Sequence, residues 1–325
     1  MFPFAYTKAA DEQAALAAGR SGARYVAGGT TLVDLMRVTV ERPGAVVDIN
    51  ALPYRSIDLD ERALRIGSLV RMTDLAADDR VRRRFPVIAQ ALELSASAQL
   101  RNMASIGGNL MQRPRCQYFR DVSAKCNRRT PGAGCAAVDG LNRNHAILGA
   151  SDQCVATHPS DLAVALVALD AVVITRDGNG DRRIPVAGFF RQPGTTPDQE
   201  HDLRPGELIV GIEVPTGPAT ARSGYLKVRD RQSYEFALTS AAVALEIAGV
   251  TVRTARVAVG GVATVPWRLP AVEGALVGRA VTPGLWHDAA AHAAEGAKPL
   301  SDNGFKVELV RRVVERQLST VAALP

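Results

Sequence analysis

The sequence has little of several features that would narrow its class. Aromatic residues make up only 5% of the 325 residues, so few rings are present to stack on nucleic acid bases. The longest apolar stretch, residues 162–175, contains Asp170 and is shorter than the ~20 residues that span a membrane. The N-terminal segment MFPFAYTKAADEQ has no basic region followed by an apolar one. We therefore expect a soluble chain with no export signal of its own, no membrane span and no nucleic acid partner.

Positive charge and cysteine coincide in one part of the chain. The net charge is +6, and residues 113–143 alone hold seven basic and two acidic residues. A basic run is usually a solvated face or a nucleic acid patch. Here, however, Cys116, Cys126 and Cys135 lie inside the run, and Cys154, the fourth and last cysteine, follows it. A soluble chain of this length needs no disulfides for stability, so the clustered thiols indicate a metal centre.

The spacing of apolar residues predicts an α+β protein with three parts. Residues 1–53 form a small α/β unit, with predicted helices over 7–18 and 32–38. Residues 54–216 contain helices and a hairpin over 171–186, but residues 112–157 show little periodicity. An irregular stretch of that length is unusual unless something holds it. Residues 217–325 alternate like antiparallel strands and end in helices.

Two glycine pairs lie in loops of the first two parts. The first loop consists of Val26, Ala27, Gly28, Gly29, Thr30, Thr31 and Leu32, and either threonine can cap the next helix. The second consists of Ser105, Ile106, Gly107, Gly108 and Asn109, and we predict that it is a turn. Paired glycines let backbone N–H groups approach an anion closely. Each loop alone can be a plain connection, and neither has the dinucleotide pattern GxGxxG. Together they indicate one long ligand with its pyrophosphate between two subdomains.

These two loops resemble the flavin-binding loops of a known family. AGGTTL and SIGGNL are similar to loops of the FAD-binding (medium) subunit of molybdenum hydroxylases, the family of xanthine dehydrogenase and carbon monoxide dehydrogenase. The resemblance continues, in the family's order, through HPSDLAVALVALDA, GELIVGIEVP and YLKVRDRQSYEFALTSAAVAL. It implies an FAD-binding domain of the molybdenum-hydroxylase/vanillyl-alcohol-oxidase type, with subdomains 1–53 and 54–216. A C-terminal α/β domain with an antiparallel sheet would follow over residues 217–325.

The resemblance also implies which residues of the loops bind the cofactor. The first loop, residues 26–32, would hold the FAD pyrophosphate. From the opposite side, the phosphates and the ribityl chain would be held by Ser105, Gly107, Gly108 and Asn109. No residue is assigned a catalytic role.

Three further positions match the family's pattern outside the loops. Asp161 would bind the sugar or ribityl hydroxyls, and Ile209 would pack on the isoalloxazine ring. Lys227 would lie near the polar edge of the ring, where a cation stabilises the charge of reduced flavin. Simpler roles are a helix N-cap for Asp161, a core position for Ile209 and a solvated strand lysine for Lys227.

The cysteine spacing favours a cluster over a single ion. Nine, eight and 18 residues separate successive cysteines, so the CxxC pairs typical of zinc sites are missing. Single cysteines on irregular backbone suit a [4Fe–4S] cluster, in which each iron binds one thiolate. The negative charge of such a centre would be offset by the surrounding basic residues. The alternatives are a structural zinc ion, or free or disulfide-bonded cysteines; we interpret His145 and His158 as structural.

The family pattern supports the cluster. Most of its FAD subunits run almost directly from the second loop to the SD segment, whereas residues 112–157 intervene here and carry all four cysteines. This insert resembles that of the FAD subunit of bacterial periplasmic aldehyde oxidoreductases, which carries an extra [4Fe–4S] cluster. The matching positions are Cys116, Cys126, Cys135 and Cys154.

The resemblance therefore implies an electron-transfer subunit of a heterotrimeric molybdenum hydroxylase. Substrate would be oxidised at the molybdenum cofactor of a large partner subunit. Electrons would pass through [2Fe–2S] clusters of a small partner subunit to FAD, and on to an external acceptor. The alternatives are a standalone flavin oxidase and a zinc-stabilised, non-redox binding module. The compartment stays open between the cytoplasm and the periplasm, which the chain would reach with a signal-bearing partner.

Overall fold

The computed structural model describes residues 1–324 and contains three β-sheets. The strands are β1 (Ala5–Lys8), β2 (Arg24–Val26), β3 (Ala45–Asp48), β4 (Ile57–Leu59), β5 (Ala63–Gly67), β6 (Val172–Asp177), β7 (Gly180–Pro185), β8 (Leu208–Pro215), β9 (Ser223–Val228), β10 (Thr239–Ala248), β11 (Thr251–Gly260) and β12 (Trp267–Arg268). The α-helices are α1 (Glu12–Arg20), α2 (Leu32–Arg37), α3 (Met72–Ala77), α4 (Asp79–Arg84), α5 (Pro86–Glu93), α6 (Ala98–Met103), α7 (Ile106–Leu110), α8 (Gln117–Arg120), α9 (Asp161–Ala168), α10 (Val186–Phe189), α11 (Pro218–Ala221), α12 (Pro270–Leu276), α13 (Leu285–Ala290) and α14 (Phe305–Ala322). A 3₁₀ turn, Ala291–Ala294, follows α13.

The first sheet is parallel, with strand order β1-β3-β2. The prediction of a helix over residues 7–18 is wrong at its start, because Thr7 and Lys8 belong to β1 and pair with β3. Helix α1 begins only after Asp11, whose carboxylate accepts a hydrogen bond from the N–H of Ala14 at 2.8 Å. Pairing with a strand distant in sequence overrides the local helical pattern here.

The second sheet is antiparallel, with order β4-β5-β8-β6-β7, and β6 and β7 form the predicted hairpin. Helix α9 packs against α5 and against β10 and β11 of the third sheet, and all eight of its residues are buried. A helix enclosed on every side needs apolar residues all around, which explains its sequence DLAVALVA. It thereby places Asp161, its first residue, in the interior.

The third sheet is antiparallel, with order β12-β11-β10-β9, and it is covered by the C-terminal helices. Helix α14 packs on β10 and β9, and buried residues such as Val243, Val257 and Leu318 form one core. The alternation predicted for this region is thus confirmed. Within residues 1–324, no helix combines the length and the apolar character needed to cross a bilayer. The domain boundaries after residues 53 and 216 stay predictions.

Candidate functional site: a flavin cleft beside a four-cysteine cavity

A cleft of about 460 Å³ lies where the first loop meets α7 and the start of β8. This volume is within the range typical of ligand pockets. All seven residues of the first loop line it, together with Ser105, Gly107, Gly108 and Ile209. The structure therefore brings most of the residues predicted to hold FAD to one cleft.

The first loop presents free hydrogen-bond donors. Gly29 has φ of +71°, a left-handed conformation that glycine adopts without strain. No hydrogen bond within residues 1–324 uses the backbone N–H groups of residues 28–32 as donors. Thr31 occupies the N-cap position of α2, but its side chain makes no cap hydrogen bond, so the predicted capping by a threonine is wrong. Successive unbonded N–H groups form an anion-binding concavity, which suits a pyrophosphate.

The second loop is a helix, so the prediction of a turn is wrong. Residues 106–110 form α7, and the Ser105 hydroxyl caps this helix by accepting a hydrogen bond from the N–H of Gly108 at 3.2 Å. The N–H of Gly107 donates to the carbonyl of Ser68 at 2.8 Å. A Cβ at Gly107 would lie 2.9 Å from the Ser68 Cβ, so this glycine is needed for packing. The two loops thus contribute differently: the first offers donors, and the second a hydroxyl and a close-packed wall.

Asp161 and Lys227 form a buried ion pair that does not line the cleft. Their Oδ2 and Nζ atoms are 2.8 Å apart, and only 6% and 1% of the side chains are exposed. Tyr225 and Ser95 donate further hydrogen bonds to the Asp161 carboxylate, at 2.7 and 3.0 Å. Burial and the adjacent carboxylate raise the pKa of Tyr225 well above its usual value, so it stays a donor. Every charge in this group is therefore satisfied within the protein.

Two of the simpler roles are wrong for this pair. The N-cap of α9 is Ser160, whose hydroxyl accepts from the N–H of Ala163 at 3.0 Å, and Asp161 is the first helical residue. Lys227 is not solvated. Asn109 also lies behind the cleft, where it accepts a hydrogen bond from Ser160. The flavin contacts proposed for Asn109, Asp161 and Lys227 stay predictions.

Ile209 has both of the roles considered for it. Its residue surface is 7% exposed, it belongs to the main hydrophobic core, and it lines the cleft. Its packing on an isoalloxazine ring stays a prediction.

Charged residues that the sequence did not single out also line the cleft. Arg113 pairs with Glu41 and with Glu200 at 2.6 Å each. His201 lies beside them, and burial lowers its pKa to about 4, so it is neutral at pH 7. Glu200 and His201 are in an irregular segment between β7 and β8, where no motif or periodicity marked them. Arg113 was counted only as part of the basic run.

The four cysteines line one small cavity of about 10 Å³. They are free, with Cys126 and Cys154 buried and the other two half-buried, which is contrary to a disulfide. The backbone forms isolated antiparallel β-bridges between Cys126 and Cys135 and between Ser151 and Cys154. Residues 112–157 are otherwise irregular apart from α8, as the sequence predicts. Cysteines that are up to 38 positions apart in the sequence thus line one cavity.

The cavity is not arranged around a single ion. Among residues 1–324, no three His, Cys, Asp or Glu side chains converge as ligands of one metal ion. Burial raises the pKa of Cys116 to about 12 and also raises that of Cys135. Backbone N–H groups nevertheless point at both sulfurs, and His145 Nε2 lies 3.2 Å from Cys116 Sγ. Buried thiols of this kind become thiolates only beside a positively charged centre.

The cavity and the cleft are adjacent. Leu35, on α2, lines the flavin cleft and also packs against Phe119 and Cys126. Asp34, its neighbour, binds Arg120 through both carboxylate oxygens, at 2.7 and 3.0 Å, and Arg115 at 3.1 Å. The insert is therefore fixed to the helix that follows the first loop.

Comparison with known proteins agrees with this geometry. Residues 2–217 match the FAD binding domain in molybdopterin dehydrogenase, and residues 224–321 match the CO dehydrogenase flavoprotein C-terminal domain. The aldehyde oxidoreductase FAD-binding subunit PaoB of Escherichia coli (strain K12) is 47% identical over 316 residues, which cover 96% of this chain and 95% of that one. The glyceraldehyde dehydrogenase medium chain of Sulfolobus acidocaldarius is 27% identical over 99% of this chain and 100% of its own.

A solved structure shows the same fold. Carbon monoxide dehydrogenase from Hydrogenophaga pseudoflava, in a form lacking the Mo-pyranopterin moiety of its molybdenum cofactor, superposes with a TM-score of 0.77 and 25% identity over 99% of both chains. The chain belongs to the family of FAD-binding medium subunits of molybdenum hydroxylases. It is an oxidoreductase subunit of the aldehyde oxidoreductase, carbon monoxide dehydrogenase and xanthine dehydrogenase group, and the predicted fold class and FAD are confirmed.

Proposed function

We propose that this chain is the electron-transferring flavin subunit of a heterotrimeric aldehyde oxidoreductase or related molybdenum hydroxylase. Electrons released at the molybdenum cofactor of a large subunit pass through [2Fe–2S] clusters of a small subunit and reach this chain. Bound FAD supplies one- and two-electron redox chemistry between those clusters and an external acceptor. The observation that supports this most is the single cleft lined by both glycine loops, with unbonded N–H groups in the first.

Different residues of the cleft bind different parts of FAD. The N–H groups of residues 28–32 donate to the pyrophosphate, and the Ser105 hydroxyl binds from the opposite wall. Ile209 supplies an apolar face for the ring. The Asp161–Lys227 pair lies behind these contacts, and its contact with the flavin stays a prediction.

The proposal includes a [4Fe–4S] cluster held by the four cysteines. Its support is their convergence on one cavity, the N–H donors around the sulfurs and the excess of basic residues in the insert. The alternative is a structural zinc ion held by the same four cysteines.

Metal and sulfide analysis of the purified full chain tests the cluster. We expect FAD, four iron atoms and four labile sulfides per chain, and loss of iron in Cys126→Ser and Cys154→Ser. The matched control is Ser151→Ala, which leaves every sulfur in place. Zinc without labile sulfide would show that the cavity is a structural zinc site instead.

Turnover by separated and assembled subunits tests the electron path. The chain alone should not oxidise aldehydes, because the substrate site is on the large subunit, whereas the assembled complex should reduce its FAD when substrate is added. Aldehyde oxidation by the chain alone would support the standalone flavin oxidase.

A further inference from the structure

A line of buried charges joins the four-cysteine cavity to the flavin cleft. Arg128 lines the cavity, and its Nη2 donates to Cys154 Sγ at 3.5 Å. Its Nη1 lies 3.4 Å from Glu200, which lines the cleft. Arg113 continues the line from Glu200 to Glu41, with both distances 2.6 Å. Two positive and two negative charges therefore alternate from one cofactor site to the other.

These charges are unusually well enclosed. The exposed fractions of the side chains are 4% for Arg128, 9% for Glu200, 13% for Glu41 and 20% for Arg113. Buried ion pairs seldom stabilise a fold more than apolar residues of the same volume would, so stability alone is a weak reason for such a network. In addition, the Nε of Arg128 is buried and has no hydrogen-bond partner within residues 1–324. The arginine therefore has one buried N–H group that is free to donate a hydrogen bond.

We propose that Arg128 sets the reduction potential of the centre held by the cysteines, and that Glu200 couples this centre electrostatically to the flavin. The inference rests on the cluster in the proposed function. Reduction adds one electron to the centre and increases its negative charge. A buried guanidinium that donates to a ligand sulfur stabilises the reduced state more than the oxidised state, which raises the potential. The Glu200 carboxylate faces both Arg128 and the cleft. Its negative charge therefore lowers the reduction potentials of the cluster and of the flavin. No bond forms or breaks at either residue.

Arg128 is a permanent positive charge, because a guanidinium is not deprotonated in proteins. Glu200 partly balances this charge from a distance of 3.4 Å.

Redox titration of the assembled complex, with the cluster followed by electron paramagnetic resonance and the flavin by absorbance, tests the proposal. Arg128→Gln should shift the cluster to a more negative potential, and Arg128→Lys should shift it less. Glu200→Gln should shift both the cluster and the flavin to more positive potentials. Arg143→Gln is the matched control, since it removes one charge from the same insert at a side chain that is 51% exposed and does not line the cavity.

Iron and sulfide analysis of the same preparations separates the two proposals. A wild-type complex whose chain lacks the cluster would overturn that part of the proposed function. A complex with the cluster intact, but with equal potentials in Arg128→Gln and Arg143→Gln, would overturn only the role of Arg128. If Arg128→Gln fails to assemble, Glu200→Gln decides, because an unshifted cluster potential in that variant contradicts the coupling.

Discussion

A Cβ atom at Gly28 would overlap with the carbonyl oxygen of Met103. Met103 ends α6, two residues before the Ser105 cap of α7. The glycine therefore brings the backbones of the two loops together and fixes the width of the cleft. The sequence suggested it for a different reason, the close approach of an anion.

Gly28→Ala should weaken FAD binding by forcing the two loops apart. Overpacking of this kind costs about 1–3 kcal/mol, which corresponds to roughly a 5-fold to 150-fold rise in the dissociation constant of FAD. Fluorescence titration of the apoprotein with FAD measures it. Gly44→Ala is the control, because a Cβ there meets nothing within 4 Å and φ is not positive, and it should bind FAD as wild type does. Equal affinities for the two variants would show that the contact with Met103 is unimportant.

Breaking the Asp161–Lys227 pair should destabilise the chain strongly. Asp161→Asn leaves the Lys227 ammonium buried without its partner charge, and a change of this type costs about 3–5 kcal/mol. Adding Lys227→Met should recover a large part of that loss, because no unpaired charge remains. Urea unfolding of the apoprotein gives the four free energies of the double-mutant cycle.

An exposed pair in the same chain provides the comparison for that cycle. The side chains of Arg143 and Asp230 are 51% and 52% exposed at a distance of 2.9 Å, so Asp230→Asn should cost less than about 1 kcal/mol. Similar losses in Asp161→Asn and Asp230→Asn would contradict the conclusion that the buried pair is held by mutual charge compensation.

The sequence predicts elements whose pattern is local and misses those set by distant contacts. The β6–β7 hairpin and α9 follow from alternation and from an unbroken apolar run. The end of β1 was missed because its pairing with β3 is remote in sequence. Helix α7 was missed because two glycines lower helix propensity, and the compensating contacts come from the Ser105 cap and from Ser68.

The residues of the candidate site likewise include some that a local motif marks and others that only the fold brings together. Glycine pairs and cysteines are conspicuous in a sequence, and the structure brings them to two adjacent cavities. Glu200 and Arg128 are 72 positions apart and belong to no motif, so only the folded chain reveals their contact.

His158 should make the stability of the chain sensitive to acid. Burial lowers its pKa to about 3 from an ordinary value of 6.5, with His201 and Arg128 adding to the effect. Its Nδ1 accepts a hydrogen bond from the N–H of Ser160 at 3.3 Å, which protonation of that nitrogen would abolish. Because the folded pKa is lower, the unfolded chain binds more protons between pH 6.5 and 3. Stability is therefore complete above pH 6.5 and falls as the pH decreases, by up to about 1.4 kcal/mol per unit.

His158→Asn removes the titration while retaining an acceptor for Ser160. The difference in unfolding free energy between wild type and this variant, measured by urea at several pH values, should be constant above pH 7 and shift in favour of the variant below pH 6. A difference that stays constant down to pH 4.5 would show that His158 does not titrate differently in the folded chain.

Asp34 should hold the cysteine insert against α2. Its carboxylate binds Arg120 and Arg115, and the hydrogen bond from Arg120 is the main reason why the pKa of Asp34 is lowered. Asp34→Asn weakens these contacts by about 1 kcal/mol, since the side chain is partly exposed. Opening of the insert should then be roughly fivefold more frequent. We expect the iron of the proposed cluster to be lost to a chelator about that much faster, with FAD retained.

The rate of iron release at pH 7 measures this opening, and Asp79→Asn is the control. Asp79 is 79% exposed and lies 3.9 Å from Arg83, so its substitution removes the same charge without touching the insert. Because the pKa of Asp34 is lowered, its carboxylate is ionised at pH 7, so wild type keeps these charged contacts throughout the measurement. Release from Asp34→Asn at the rate of Asp79→Asn would show that the insert is held by its apolar contacts with Leu35 alone.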